Sequence, residues 1–314
     1  MSEWTRIALL RAALSGQADG RVLLGIGDDC AVLAPSAAPL VWTVDASVEG
    51  VHFRRDLLPL CDVGYRATMA AASDLAAMGA APLGLLAALV LPAWCSDEDL
   101  AQIAAGQREA ADALGTAVIG GNLSRGGELS LTTTAIGAAA RPLTRAGARP
   151  GDALWMAGPV GLAAAGLSLL LRDPRAEGPA VEAWRRPRAR LAEGMRAGPI
   201  ASAAIDVSDG LAQDAGHLAT ASGVGLVLDA GALISAELHA AAAALGRDPL
   251  DLALHGGEDY ALVAALPAGE APAGFTRIGD VRALGAGEPA VALRREDGSI
   301  AALEERGFDH FGSR

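Results

Sequence analysis

An uncharged run from Leu75 to Cys95 restricts the fold of this chain more than any other stretch. The run is long enough to cross a bilayer, so its length alone allows a membrane helix. Gly79, Pro82 and Pro92 cut it into pieces that are too short for that role. We interpret it as a helix end, a turn and a strand over Leu83–Leu91, because strands that are buried on both faces are apolar throughout.

Strand-like and helical segments alternate along the rest of the chain. The N-terminal stretch contains Glu3 and predicts an amphipathic helix, not a signal peptide. A later helix is predicted to begin at a capping box of Ser96 and Asp99 and to end at Gly115. Further strands are predicted at 40–45, 129–137, 203–208, 225–230 and 260–266, and further helices at 63–78, 209–221 and 236–245.

The segment Arg141–Asp152, rich in Pro, Gly and Arg, divides this pattern into two halves. We predict an α/β (α+β) fold with two domains, over residues 1–140 and 141–314. The first is expected to contain a mixed sheet with helices, and the second is expected to be an α/β domain that completes the active site.

The composition excludes several kinds of partner and chemistry. The formal net charge of −12 gives no overall attraction for nucleic acid or an anionic membrane, so we predict neither as a partner. The chain contains no lysine, which rules out the phosphate-binding motif that requires one and a Schiff-base enzyme that uses its own lysine. Three widely spaced cysteines, Cys30, Cys61 and Cys95, predict neither a disulfide framework nor a zinc site and favour the cytoplasm.

Aspartates recur where predicted strands end next to glycine. Asp28 and Asp29 are adjacent after one strand, Asp45 ends another, and Asp206 and Asp209 follow a third. Any one of them is explained as well or better by a turn or a helix cap. As a set they lie where open α/β sheets place ligands, and carboxylates gathered in one place need a cation.

Asp74 lies on an alanine stripe of a predicted helix, where its burial is costly unless it is paired, for example with Arg66. Of the three cysteines only Cys30 adjoins one of these acids, and histidines are few, so oxygen atoms are the expected ligands. Oxygen ligands favour Mg²⁺ over zinc, and Mg²⁺ of this kind usually bridges carboxylates to substrate phosphates. The residues therefore predict a magnesium-dependent enzyme that acts on phosphates.

Eight motifs in order resemble the thiamine-monophosphate kinase family. They are "GIGDDCAVL", "TVDASVEGVHF", "SDLAAMGA", "GGNLSRG", "LTRAGARPGD", "AIDVSDGLAQDAGH", "GGEDYAL" and "GFDHF". The family belongs to the superfamily of aminoimidazole-ribonucleotide synthetase, selenophosphate synthetase and a hydrogenase-maturation dehydratase. The resemblance implies an ATP-dependent phosphorylation of thiamine monophosphate to thiamine diphosphate, with ATP as co-substrate and several Mg²⁺ ions. It also implies a homodimer in which the N-terminal domains pair through their sheets.

The resemblance assigns roles to individual residues. The metal ligands that it implies are Asp29, Thr43, Val44, Asp45, Asp74, Asn122, Asp206 and Asp209, with Asp28 as a weaker match. The ATP contacts that it implies are Gly121, Arg145 and Ser208, and the substrate contacts are His52, Glu258 and Phe308. Alternative structural roles are a core position for Phe308, a surface ion pair for Glu258 and a purely structural His52.

The "GGNLSRG" stretch departs from the family pattern, which has an aspartate and two threonines at Asn122, Leu123 and Ser124. An amide oxygen coordinates Mg²⁺ but brings no charge, so we expect weaker binding of one ion and a need for more free Mg²⁺. Two alternatives stay open: another member of the superfamily that acts on a different acceptor, and a nucleotide-binding homologue that has lost catalysis. For the kinase we expect no general base and no covalent nucleophile, because the acceptor phosphate is already deprotonated.

Overall fold

The structure, a computed structural model, describes residues 3–14, 20–26, 30–267, 269, 272–304 and 306–308, and for residues 3 and 4 it describes the backbone alone. Asp28 and Asp29 lie outside these residues. The chain forms two compact units. The first comprises Met1–Leu75 and Ala80–Ala140, and the second comprises Ala76–Gly79 and Arg141–Arg314.

The first unit is built around a mixed four-stranded sheet. In chain order its elements are α1 (Glu3–Leu14), β1 (Val22–Leu24), β2 (Val32–Leu33), β3 (Leu40–Val48), α2 (Leu60–Ala77), β4 (Ala81–Leu91), α3 (Asp97–Ala113), β5 (Val118–Arg125) and β6 (Ser130–Ala138). The strand order is β3-β6-β4-β5, with β4 and β5 parallel and the other pairs antiparallel. Strands β1 and β2 form a separate antiparallel pair.

Two glycines allow α2 and α3 to pack with their backbones in contact. A Cβ atom on Gly106 would overlap the carbonyl oxygen of Cys61, and one on Gly64 would overlap that of Ile103. The close packing buries Leu100 and Ile103 of α3 completely. It fixes the position of α2, the helix that carries Asp74.

The second unit is built around a seven-stranded sheet. Its elements are β7 (Ala153–Ala157), α4 (Leu162–Arg172), α5 (Pro179–Arg185), α6 (Leu191–Ala197), β8 (Ala203–Val207), α7 (Leu211–Ser222), β9 (Val224–Asp229), a 3₁₀ turn (Ala230–Ala232), α8 (Ala236–Leu245), α9 (Pro249–His255), β10 (Ala261–Leu266), β11 (Thr276–Ala283), β12 (Val291–Arg294) and β13 (Ile300–Ala302). The strand order is β13-β12-β9-β11-β7-β10-β8, and only the β9–β12 pair is parallel. Strands β8 and β10 are buried along their whole length.

The structure confirms the interpretation of the uncharged run. Helix α2 ends at Ala77, Gly79 turns the chain with a φ of +63°, and the rest of the apolar stretch forms β4. Within the described part of the chain, no helix combines the length and apolar character that crossing a bilayer requires.

Other local predictions are confirmed as well. The capping box of Ser96 and Asp99 is present at the start of α3, and Gly115 follows that helix with a φ of +68°. None of the three cysteines forms a disulfide. The prediction did not include α5, α6 and α9, each of seven residues, or the strands β11 to β13.

Candidate functional site

In the first unit, Thr43 and Asp74 are brought together by β3 and α2. Residues alternate between the two faces of a strand, so Thr43 and Asp45 lie on the same face of β3. The hydroxyl of Thr43 donates a hydrogen bond to the Oδ2 atom of Asp74. Thr43, and not Arg66, is therefore the neighbour that satisfies this half-buried carboxylate, because eight helical residues separate Arg66 from Asp74, about 12 Å along the axis.

Asn122 lies far from Asp45 within one chain. The paired residues Ala46, Thr132, Ala88 and Asn122 form one row across the sheet, and Asp45 belongs to the neighbouring row. Three strand spacings separate β3 from β5, which corresponds to about 14 Å. Neighbouring rows also point to opposite faces of the sheet. The structure thus places Asp45 on the same strand face as Thr43, which contacts Asp74, and away from Asn122.

Three other predicted residues of the first unit have different surroundings. The Val44 side chain is 64% exposed on the outer face of β3. The Nδ1 atom of His52, in the turn after β3, accepts a hydrogen bond from the Val48 amide at 3.1 Å. A Cβ atom on Gly121 would overlap the carbonyl oxygen of Ala87, so the close approach of β4 and β5 is itself a reason for glycine there.

In the second unit, one buried carboxylate organises the loop that follows β8. The Oδ2 atom of Asp214, in the first turn of α7, accepts hydrogen bonds from the amides of Ser208, Asp209 and Gly210 at 3.1, 3.1 and 3.2 Å. Burial, together with the negative charge of Asp206, raises the pKa of Asp214 to about 7. Asp206 and Asp209 therefore lie in a negative region that a cation would stabilise.

The loop Gly256–Tyr260 packs against this first loop through its main chain. The Glu258 amide donates to the Ser208 carbonyl at 2.7 Å, and the Tyr260 amide donates to the Val207 carbonyl at 2.9 Å. Glu258 and Tyr260 have φ values of +65° and +50°, which are uncommon for residues other than glycine and persist only where surrounding contacts impose them.

Two further contacts, with Trp184 of α5 and with the start of α4, hold the loop Gly256–Tyr260. The indole Nε1–H of the buried Trp184 donates to Oε2 of Glu258 at 3.3 Å. The carboxylate of Asp259 accepts hydrogen bonds from the amides of Gly161 and Ala163 at 2.6 and 2.9 Å, at the start of α4. The position of the Glu258 carboxylate is thus set by groups from α4 and α5.

Phe308 joins the same group of residues. Its amide donates to the Asp209 carbonyl at 3.0 Å, and its carbonyl accepts from Nε2 of Gln213 at 3.3 Å. The phenyl ring stays 46% exposed, so it is not a core residue. The structure therefore brings together Ser208, Asp209, Glu258 and Phe308, which are distant in the sequence.

Arg145 does not join them within the chain. Its carbonyl accepts a hydrogen bond at 2.8 Å from Ser222, the last residue of α7, whereas Ser208 precedes the first residue of that helix. The helix has 12 residues and a length of about 18 Å, which exceeds the reach of an arginine side chain.

Among the described residues, no group of three or more His, Cys, Asp or Glu side chains has an arrangement that could hold a metal ion. One reason is local: Asp214, close to Asp206 and Asp209, directs an oxygen to backbone amides. Another is that Asp29, an expected ligand, lies outside the described part of the chain.

Sequence reasoning missed three residues that shape this site: Asp214, Asp259 and Trp184. The motifs "AIDVSDGLAQDAGH" and "GGEDYAL" contain both aspartates, so the signal was present. An Asp in the first turn of a helix is a common capping residue, and the pattern did not indicate that it faces the preceding loop. No sequence signal pairs Trp184 with Glu258.

Comparisons with known proteins define the class first. Residues 27–139 match the family model described as AIR synthase related protein, N-terminal domain. The structure described as "AaThiL complexed with AMPPCP and TMP" has a TM-score of 0.81 at 31% identity and covers 98% of this chain and 97% of that chain. The thiamine-monophosphate kinase from Stenotrophomonas maltophilia K279a also has a TM-score of 0.81, at 35% identity, with coverage of 96% and 98%. Residues 27–139 thus define an AIR synthase related domain, and the whole chain has the fold of these two structures.

A curated relative identifies the family within this class. The thiamine-monophosphate kinase of Escherichia coli (strain K12) is 36% identical over an alignment 318 residues long, which covers 93% of this chain and 93% of that protein. The chain belongs to the thiamine-monophosphate kinase family. The predicted family and fold class are therefore confirmed.

Replacing Asp214 tests its role in the loop. Asp214→Ala removes the acceptor of three amides and is expected to lower the free energy of unfolding by about 1–3 kcal/mol. Asp214→Asn is the matched control, because it keeps an acceptor oxygen and removes the buried charge. Hydrogen exchange at residues 208–210 should accelerate in the alanine variant and stay slow in the asparagine variant. Equal protection of these amides in both variants would contradict this role.

Proposed function

We propose that this protein transfers the γ-phosphoryl group of ATP to thiamine monophosphate and so forms thiamine diphosphate. The relatives bear the name of this activity, and one similar structure is described as a complex with AMPPCP and TMP. Within the chain, the observation that carries the proposal is the convergence of Ser208, Asp209, Glu258 and Phe308 in the second unit.

Each of these residues offers a group suited to the reaction. Both main-chain groups of Ser208 are hydrogen-bonded within the protein, so its hydroxyl is the group that remains for a nucleotide. The exposed ring of Phe308 suits a flat, positively charged heteroaromatic ring, which aromatic faces attract. The Glu258 carboxylate, held by Trp184, supplies a counter-charge or a hydrogen-bond acceptor for the same ring system. His52, Gly121 and Arg145 stay predicted contacts.

We propose a direct in-line transfer. The second pKa of a phosphate monoester is about 6, so the acceptor oxygen is largely deprotonated at neutral pH. A general base is then unnecessary, and so is a covalent intermediate. Catalysis rests on positioning the two phosphates and on compensating their negative charges. This is why the catalytic machinery expected here consists of binding residues only.

Magnesium is part of the proposal. The oxygen donors in place fit Mg²⁺: Thr43 and Asp74 adjoin in the first unit, and Asp206 and Asp209 border one negative region in the second. Bound Mg²⁺ would compensate the charge of the nucleotide's phosphates. The full proposed ligand set is Asp29, Thr43, Val44, Asp45, Asp74, Asn122, Asp206 and Asp209. We expect the reaction to take place in the cytoplasm.

ADP release by the purified protein tests the proposed activity. We expect release to require both thiamine monophosphate and Mg²⁺, and thiamine to give none because it lacks the acceptor phosphate. Asp209→Asn should lower kcat by about a hundredfold or more, since it removes charge at the phosphates, and Asp173→Asn, an exposed site after α4, should not. Release with a different acceptor, or nucleotide binding without turnover, would contradict the proposal.

We also propose that the protein is a homodimer that pairs through β3. Leu40, Trp42 and Val44 are 54%, 66% and 64% exposed on one face of this edge strand. Apolar side chains on an exposed edge strand favour association with another chain. Asn122 is on the same face of the sheet and does not share an ion with Asp45 inside one chain, so the two residues hold either different ions or one ion between two subunits.

Trp42→Glu tests the dimer. A charge on this face should convert the protein to a monomer at micromolar concentration, measured by light scattering after size exclusion. Leu171→Glu is the matched control, because Leu171 is 55% exposed on α4, in the other unit, and this variant should keep the mass of the wild type. A Trp42→Glu protein that stays dimeric would exclude this surface as the interface.

A further inference from the structure

Two arginines, at the end of α5 and just before α6, carry buried guanidinium nitrogens with no hydrogen-bond partner in the part of the chain that the structure describes. Arg185 ends α5, and Arg190 immediately precedes α6. The Nε atom of each is buried and has no hydrogen-bond partner among the described residues. Nearly all buried polar groups in folded proteins are hydrogen-bonded, so the unbonded Nε atoms of these two positively charged side chains need an explanation.

Arg190 is held in a fixed place. A Cβ atom on Gly158 would lie 2.6 Å from Nε and 2.7 Å from Nη2 of Arg190, so the guanidinium lies against the backbone of the turn after β7. Gly158 has a φ of +92°, and only glycine allows this contact. Burial lowers the pKa of Arg190, and the positive charge of Arg188 lowers it further, while Glu193 compensates only in part. Among the described residues, the charge of Glu193 thus offsets only part of the unfavourable burial of this cation.

The two arginines belong to the same neighbourhood as Glu258. Arg185 directly follows Trp184, whose indole is hydrogen-bonded to the Glu258 carboxylate. Gly158 is three residues from Gly161, whose amide is bonded to Asp259, so it lies within about 11 Å of that contact. Arg185 and Arg190 are thus linked, through Trp184 and through the turn at Gly158, to the residues that hold the Glu258 loop.

We propose that Arg190, supported by Arg185, forms an anion site that binds the phosphate group of thiamine monophosphate. A guanidinium presents a planar set of N–H donors that matches phosphate oxygens, and it stays charged even when buried. The charge pattern fits the substrate: Glu258 faces a cationic ring, and the arginines face the phosphate at the other end. This inference rests on the proposed function for the identity of the ligand.

Equilibrium binding without ATP tests the site separately from catalysis. Arg190→Met keeps an unbranched side chain and removes the charge. We expect it to weaken binding of thiamine monophosphate by about tenfold or more and to leave thiamine and ATP binding unchanged. Arg190→Lys should give a smaller loss, because an ammonium group keeps the charge without the planar fork. Arg175→Met, at an exposed position between α4 and α5, is the control and should bind like the wild type.

The possible outcomes separate the inference from the proposed function. Unchanged binding of thiamine monophosphate in Arg190→Met, an equal loss for thiamine, or a loss for ATP instead would each overturn the anion site. If Arg190→Met does not fold, the Arg190→Lys variant decides by the same comparison of phosphorylated and unphosphorylated ligand. If the wild type has no kinase activity, but Arg190→Met binds thiamine monophosphate more weakly than the wild type does and binds thiamine equally well, the anion site is supported and the proposed function fails.

Discussion

The contact on which the candidate site depends is the one between the Asp214 carboxylate and three consecutive amides after β8. It fixes the path of the loop Ser208–Gly210, and the carbonyl groups of that loop then accept the amides of Glu258 and Phe308. Three segments that are far apart in the sequence are thereby joined through their main chains. The side chains of Ser208, Asp209, Glu258 and Phe308 project from this hydrogen-bonded framework, which explains how they keep defined positions.

Charge explains why such a site needs ligands. Asp206 and Asp209 act on a carboxylate whose pKa is raised to about 7, and the buried Nε atoms of Arg185 and Arg190 have no hydrogen-bond partner in the described part of the chain. Both conditions are unfavourable in the isolated chain, since like charges repel and buried donors lose their water. Cations at the aspartates and a phosphate at the arginines would relieve both. The unfavourable electrostatics are therefore consistent with a site built to bind phosphates and metal ions.

The sequence predicted most long elements, because their signals are local. Helix α3 with its capping box and the buried strand β4 depend on nearby residues, and both are confirmed. The short helix α5, the antiparallel pairing of β10 and β8 and the distance of about 14 Å between Asp45 and Asn122 depend on tertiary contacts and strand order, which no local pattern encodes. Arg145 shows the same limit, since its motif gave a role but not its place at the far end of α7.

The central claim is that these aspartates bind divalent ions that in turn hold the nucleotide's phosphates. The most direct measurement is anomalous diffraction from crystals grown with Mn²⁺ and a non-hydrolysable ATP analogue. The account predicts manganese peaks at bonding distance from carboxylate oxygens of Asp45 or Asp74 and of Asp206 or Asp209, each shared with a phosphate oxygen. A bound nucleotide whose phosphates contact only protein groups, with no manganese at these aspartates, would contradict it.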